Sequence, residues 1–162
     1  MSFSKRAFLF TATAALTACG FTPVYAPGGA AEGLRGSLLV AAPENRNAFV
    51  LVRQLEQRLS QPQNAPYLLS YKITTTRQGV GITPAQETTR YNVLGRLDYT
   101  VTDRATKTVV ARDKVENFTG YSATGSIVST ISATEDAEER LMIILADQLI
   151  SRLIATASDW RS

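Results

Sequence analysis

The chain contains no histidine and a single cysteine among its 162 residues. Without histidine there is no Ser-His-Asp or Cys-His catalytic set and no histidine-based metal centre. With one thiol there is no disulfide within the chain. Also missing are a Gly-x-Ser-x-Gly elbow and a phosphate-binding glycine loop of the Walker type. No apolar run approaches the ~20 residues that a membrane-spanning helix needs. Carboxylate pairs of the kind that cleave glycosides are not excluded by composition, but nothing in the spacing selects a pair. These absences point away from an enzyme, and a periplasmic hydrolase is the weakest of the readings that follow.

What is present begins at the single cysteine. Lys5 and Arg6 precede an apolar stretch over 7–16, and Leu16-Thr17-Ala18 leads directly into Cys19. A positive n-region, a short apolar segment and small residues before a cut make a secretory signal. Leu three positions before the cysteine makes it the lipoprotein variety, in which Cys19 is acylated and becomes the new N-terminus. Each buried CH₂ of an acyl chain contributes about 0.8 kcal/mol, so several chains on Cys19 would anchor the protein stably. Gly20 follows in place of the Asp that commonly retains such proteins in the inner membrane, which favours the outer membrane, facing the periplasm. Removal of residues 1–18 also alters the charge. The 17 basic residues lose Lys5 and Arg6, leaving 15 against 14 acidic ones. The high isoelectric point thus gives no reason to expect a nucleic-acid partner.

Residues 19–33, rich in Gly and Ala, read as an acylated N-terminus and flexible tether, and 34–162 as one α+β domain. Leu38, Leu39 and Val40 make a short buried strand within 36–42. Asn45 or Asn47 caps a helix in which Ala48, Val52, Leu55 and Leu59 recur at helical spacing, and Pro62 closes it. Tyr67, Leu69, Tyr71 and Ile73 alternate with polar residues in a second strand. The glycines and proline of 77–86 read as a long loop. Tyr91, Val93, Leu97, Tyr99 and Val101 alternate through a third strand, Asp103-Arg104-Ala105-Thr106 turns, and 108–118 returns as a fourth. Residues 120–132, dense in Ser, Thr and Gly, read as a second long loop. From Thr134, taken as a cap, a helix follows whose inner stripe is Met142, Leu145, Leu149 and Leu153, widened by Leu141, Ile144 and Ile150. Glu135, Asp136, Glu138 and Glu139 would favour the positive end of its dipole, a role that accounts for this acidic cluster without a bound metal. The order β-α-β-β-β-α predicts a two-layer α+β sandwich, with two helices on one face of a mostly antiparallel four-stranded sheet.

The other sheet face would carry Lys72, Arg90, Arg96, Arg112 and Lys114, provided that the period of two is unbroken. Such cations suit phosphates and carboxylates. They equally suit a solvated face, since Glu87, Asp98, Asp113 and Glu116 lie in or beside the same strands. Phe21, Pro23 and Tyr25 fit a simple linker as well as a segment packed on a membrane interface or a partner.

Cys19-Gly20-Phe21-Thr22-Pro23-Val24-Tyr25, the element order, and Ala133-Thr134-Glu135-Asp136-Ala137-Glu138-Glu139-Arg140 leading into Leu145-Ala146-Asp147-Gln148-Leu149 together resemble the LPS-assembly lipoprotein family LptE, in its alphaproteobacterial form. The resemblance implies a non-enzymatic protein without cofactors. It would act in the outer membrane as a plug and assembly partner inside an LptD β-barrel and assist insertion of lipopolysaccharide (LPS), with direct LPS binding as a further implication. The rival reading is an auxiliary lipoprotein of a lipid-transport ABC system, a class with a similar tethered α+β domain.

Overall fold

Strand β1 (Leu38–Val40) is only three residues long, yet it fixes the start of the fold, because Leu38 and Val40 are buried and the strand runs parallel to β2 (Tyr67–Ile82). The computed structural model describes residue 29 and residues 33–82, 88–124 and 126–161, and contacts gather Gly33–Ser162 into one unit. Cys19 and nearly all of the proposed tether lie outside the described residues. Between β1 and β2 runs α1 (Arg46–Leu59). Asn45 caps it, its Oδ1 accepting from the Ala48 N–H at 2.9 Å, which satisfies one of the orphan donors of the first turn. The expected stripe of Ala48, Val52, Leu55 and Leu59 is buried, and Val50 and Leu51 widen it. The helix stops before Pro62, at Ser60, whose left-handed φ of 68° turns the chain while its N–H bonds the Glu56 carbonyl at 2.9 Å.

Strands β3 (Thr88–Asp103) and β4 (Val109–Ser122) complete a four-stranded sheet in the order β1-β2-β3-β4. The sheet is mixed: β1 pairs parallel with β2, while β2-β3 and β3-β4 are antiparallel meanders. The turn between β3 and β4 forms where expected. Asp103 Oδ1 accepts from the Ala105 and Thr106 N–H groups at 2.8 and 2.9 Å, an Asx turn of the kind that starts reversals. These two backbone donors hold the Asp103 carboxyl below its ordinary value.

Two long loops expected from the sequence are in fact regular structure. The segment 77–86 is strand up to Ile82, because β3 supplies ladder partners on both sides of Val80: Arg77 faces Val93, Gln78 faces Asn92, Gly79 faces Tyr91 and Gly81 faces Arg90. The glycines there mark a register shift between Gly79 and Gly81 and do not end the strand, as isolated strand glycines often do. Residues 83–87 lie outside the described residues. The segment 120–132 divides similarly: β4 continues to Ser122, and Ser126 caps α2 (Ile127–Ala155), a helix of 29 residues. Ser126 Oγ accepts from the Ser129 N–H at 3.2 Å. The Ser129, Thr130 and Thr134 hydroxyls donate back to carbonyls three or four residues earlier, at 2.8, 3.2 and 2.8 Å. Hydroxyls that compete with a helix in isolation are thus absorbed into this one. Thr134, expected as the cap, sits buried inside the helix.

The acidic residues at 135–139 therefore lie two turns inside α2, too far for its dipole to explain them. Their partners are on α1 and beyond. Arg46 pairs with Glu135 at 3.2 Å and Arg53 with Glu139 at 3.3 Å. Asn47 donates to Glu138 at 3.1 Å, and Asp136 pairs with Arg140 along the helix. Further on, Arg58 lies 2.8 Å from Asp147 Oδ1, a charge contact off the hydrogen-bond direction, since that oxygen has no aligned donor. The rising order of these pairs shows that the helices run parallel. Each exposed pair contributes at most about 1 kcal/mol, so their main effect is on alignment.

The core lies between this helical layer and one face of the sheet. Leu141, Met142, Leu145, Leu149 and Leu153 from α2 meet Leu69, Val93, Leu97 and Val101, all fully buried, while Ile144 of the expected stripe is half-buried. Thr119 Oγ1 ties β4 to α2 by donating to the Ala137 carbonyl at 2.7 Å. A final turn, α3 (Ala157–Trp160), closes the end of the sheet where β2 begins, and Trp160 packs edge-on against Tyr67 with centroids 5.2 Å apart. None of the described helices is long and apolar enough to cross a membrane.

Candidate functional site

Helices cover one face of the sheet, so β2, β3 and β4 present their alternate side chains on the other. Pairing register arranges these in rows: Ser70-Thr100-Arg112, Lys72-Asp98-Lys114, Thr74-Arg96-Glu116, Thr76-Leu94-Phe118 and Gln78-Asn92-Gly120. The register shifts fall between Val101 and Thr102 and beyond Gly79, outside these rows. The period of two therefore holds across them. Lys72, Arg96, Arg112 and Lys114 come together in three adjacent rows around a shallow depression of about 490 Å³. Arg90 is on the same face but opposite Gly81 and Ser122, three rows and roughly 20 Å from Arg96. The structure does not bring it into the group.

The four gathered cations are not equivalent. Arg96 grips Asp98 by two nitrogens, Nε to Oδ2 at 2.9 Å and Nη2 to Oδ1 at 2.6 Å, and reaches Glu116 at 3.4 Å. Lys114 pairs with the same Glu116 at 3.1 Å. Lys72 and Arg112 form no ion pair among the described residues. Four cations against Asp98, Asp113 and Glu116 leave the patch positive by one charge, and Lys72 and Arg112 are the cations outside the ion pairs. Composition showed both signs in these strands, but only the register shows which cations are already neutralised.

The hydrogen bonds from Arg96, followed by the charges of Arg96, Lys114 and Lys72, hold the Asp98 carboxyl below its ordinary 3.8. A carboxylate depressed in the folded state contributes stability that is complete above its ordinary value and is lost as pH falls through the lowered one. An NMR titration of Asp98 should therefore give a midpoint below 3.8, and Arg96→Met should move it back upward. A midpoint unchanged by that substitution would mean that the pair is not formed in solution.

The sheet has a second distinctive feature at the end where β2 meets β3. Residues 78–82, 117–124 and 126–134 contain no charged side chain, and Arg90, opposite Gly81 and Ser122, is the cation placed among them. A bond from the Ala123 N–H to the Thr89 carbonyl, 2.8 Å long, brings the segment after β4 against the start of β3. Toward this end Ile127 is 80% and Ile131 54% exposed, and Val128 in the same helix and Val80 in β2 are exposed as well. Sequence reasoning passed over these aliphatic residues because they fell in a presumed loop. Among the described residues no group of three or more metal-ligating side chains occurs.

Several solved lipoproteins share this architecture. A protein from Caulobacter crescentus described as a lipoprotein superposes with a TM-score of 0.62 at 21% identity, covering 76% of this chain and 91% of its own. Rare lipoprotein B from Shewanella oneidensis gives a TM-score of 0.61 at 14% identity, over 78% of this chain and 98% of its own. A minor lipoprotein from Acinetobacter baumannii gives 0.53 at 19% identity, over 75% and 90%. At such identities the likeness is one of fold. No curated protein sequence matches the chain. The model of the lipopolysaccharide-assembly family LptE, however, matches residues 36–153, from just before β1 to near the end of α2, and on that match the chain belongs to the LptE family.

Proposed function

We propose that this protein is a non-catalytic outer-membrane lipoprotein, held by acyl chains on Cys19 and facing the periplasm. It seats in the lumen of an LptD-type β-barrel, helps that barrel to assemble and assists the passage of LPS. The observation that carries this reading is the family match over 36–153, which spans nearly all of the described unit. The surface supports it. A sheet face covered by helices, an open sheet face with surplus positive charge and an end with bare aliphatic side chains divide the domain into regions suited to different contacts.

In this reading the aliphatic end, with Ile127 and Ile131, is the part that meets the barrel. Dehydrating it is cheap for a surface so rich in Ser and Thr, since three of its hydroxyls already donate to the helix backbone and an unpaired polar group is what makes burial costly. The open sheet face is the part that meets LPS, with Lys72 and Arg112 free to pair with head-group phosphates, and with Arg96 and Lys114 exchanging their internal partners to do so.

The test is recovery of partners. Pull-down of the tagged protein from mildly solubilised outer membranes should bring down one large β-barrel protein in stoichiometric amount. Recovery of inner-membrane permease and periplasmic lipid-carrier subunits in its place would support the ABC-transport alternative and overturn the assignment.

A further inference from the structure

Along the open face the rows change character in a fixed order. The three rows bearing Arg112, Lys72 with Lys114, and Arg96 are charged; the next is Thr76-Leu94-Phe118; beyond it Gln78, Asn92 and Gly120 are uncharged, and the row after that carries Arg90. Leu94 is 39% and Phe118 58% exposed, and the two face each other across neighbouring strands. Together with Thr74, Thr76, Asn117 and the paired Arg96 and Glu116 they line a depression of about 530 Å³. Successive rows on one face are roughly 7 Å apart, so the apolar row begins one step from Arg96 and about 14 Å from Lys72. Scattered apolar residues on a surface need no explanation. A Leu-Phe pair set across adjacent strands and continuous with a patch of surplus positive charge is a different arrangement, because it gives one face two polarities in sequence.

We propose that this shelf seats acyl chains of the same phosphorylated glycolipid whose head group lies on the Lys72 and Arg112 rows. The inference rests on the reading that the open face takes LPS, and adds to it a second subsite, a direction and a cause of selectivity. The head group lies toward the end of the sheet where β2 begins, and the chains run toward the row of Gln78, Asn92 and Gly120. Ionic contacts alone would hold any polyphosphate and weaken with salt. Contacts with Leu94 and Phe118 reward only a ligand that carries hydrocarbon beside its phosphates. The flat, open form of the shelf suits a ligand that is passed along, because it leaves most of each chain uncovered.

The described unit holds its whole core within 34–160, so the chain from Gly20 onward, free of acyl groups, is titrated with purified LPS and with the same LPS fully deacylated. The wild type should bind the acylated form about tenfold more tightly. Leu94→Ser with Phe118→Ser should close that gap while leaving affinity for the deacylated form unchanged, whereas Lys72→Ala with Arg112→Ala should weaken both. Thr76→Leu, which extends the apolar row without removing anything, should widen the gap, and it decides the matter should the serine variant lose fold. A gap that neither the serine nor the leucine variant alters would overturn the shelf and leave the head-group reading standing. Binding of neither ligand by the wild type would overturn both.

Discussion

Gly95→Val is expected to destabilise the domain by about 1–3 kcal/mol, the range for forcing extra methyl groups into a packed interior. Gly95 lies mid-strand in β3, on the face that meets α2. A Cβ there would stand 2.8 Å from Leu141 Cδ2, 3.0 Å from Leu145 Cδ1 and 3.1 Å from Leu141 Cγ. Leu141 and Leu145 are both fully buried, so neither has empty space into which to swing. Removing a glycine from a strand normally helps, by roughly 0.5–1 kcal/mol of backbone entropy, and here the contact outweighs that gain. The effect should be local to this crossing. At Gly120 a Cβ would meet only Asn92 Oδ1, at 3.3 Å, with the Tyr91 carbonyl at 3.7 Å, so Gly120→Ala should change stability by less than about 0.5 kcal/mol. Urea unfolding of the two variants measures the contrast. An unfolding midpoint for Gly95→Val equal to that of the parent would mean that α2 does not pack on β3 at this point.

The crossing at Gly95 is also an example of what one-dimensional pattern cannot show. Periodicity within an element was readable: the stripe of α1, the alternation of β3 and the inner face of α2 all follow from residues two, three or four apart. The face assignment of Lys72, Arg96, Arg112 and Lys114 followed from the same period, and the registers keep it. What failed depended on partners distant in sequence. Glycines at 79 and 81 look like loop residues until Thr88–Tyr91 is laid beside them, and the serines and threonines of 126–134 look like loop residues until their hydroxyls find helix carbonyls. The acidic run at 135–139 was assigned to a helix end because its true partners, Arg46, Asn47 and Arg53, lie over 80 residues earlier. Within the candidate site, the difference between Arg96, already gripped, and Arg112, free to pair, is set by Asp98 and Glu116 on two strands. The adjacency of Leu94 and Phe118 likewise exists only once β3 and β4 are in register.

The greatest functional loss should come from the aliphatic end, through Ile127→Asp combined with Ile131→Asp. The two residues are four apart in the first turns of α2 and hence neighbours on one side of it. Both are exposed in the isolated domain, so neither substitution opens a cavity, and negative charge near a helix N-terminus is mildly favourable. Folding stability should stay within about 0.5 kcal/mol of the parent. Seating against an apolar partner wall would instead require two carboxylates to be dehydrated, and none of residues 117–134 supplies a counter-ion. The cost of burying unpaired charge is several kcal/mol per ion, which corresponds to a loss of affinity of at least about a hundredfold. Pull-down of this variant from outer membranes, set beside its thermal unfolding, separates the two effects. A variant that melts like the parent but no longer recovers the barrel locates the contact at the start of α2. Equal recovery of the barrel would remove this end from the interface and shift the contact to another face of the domain.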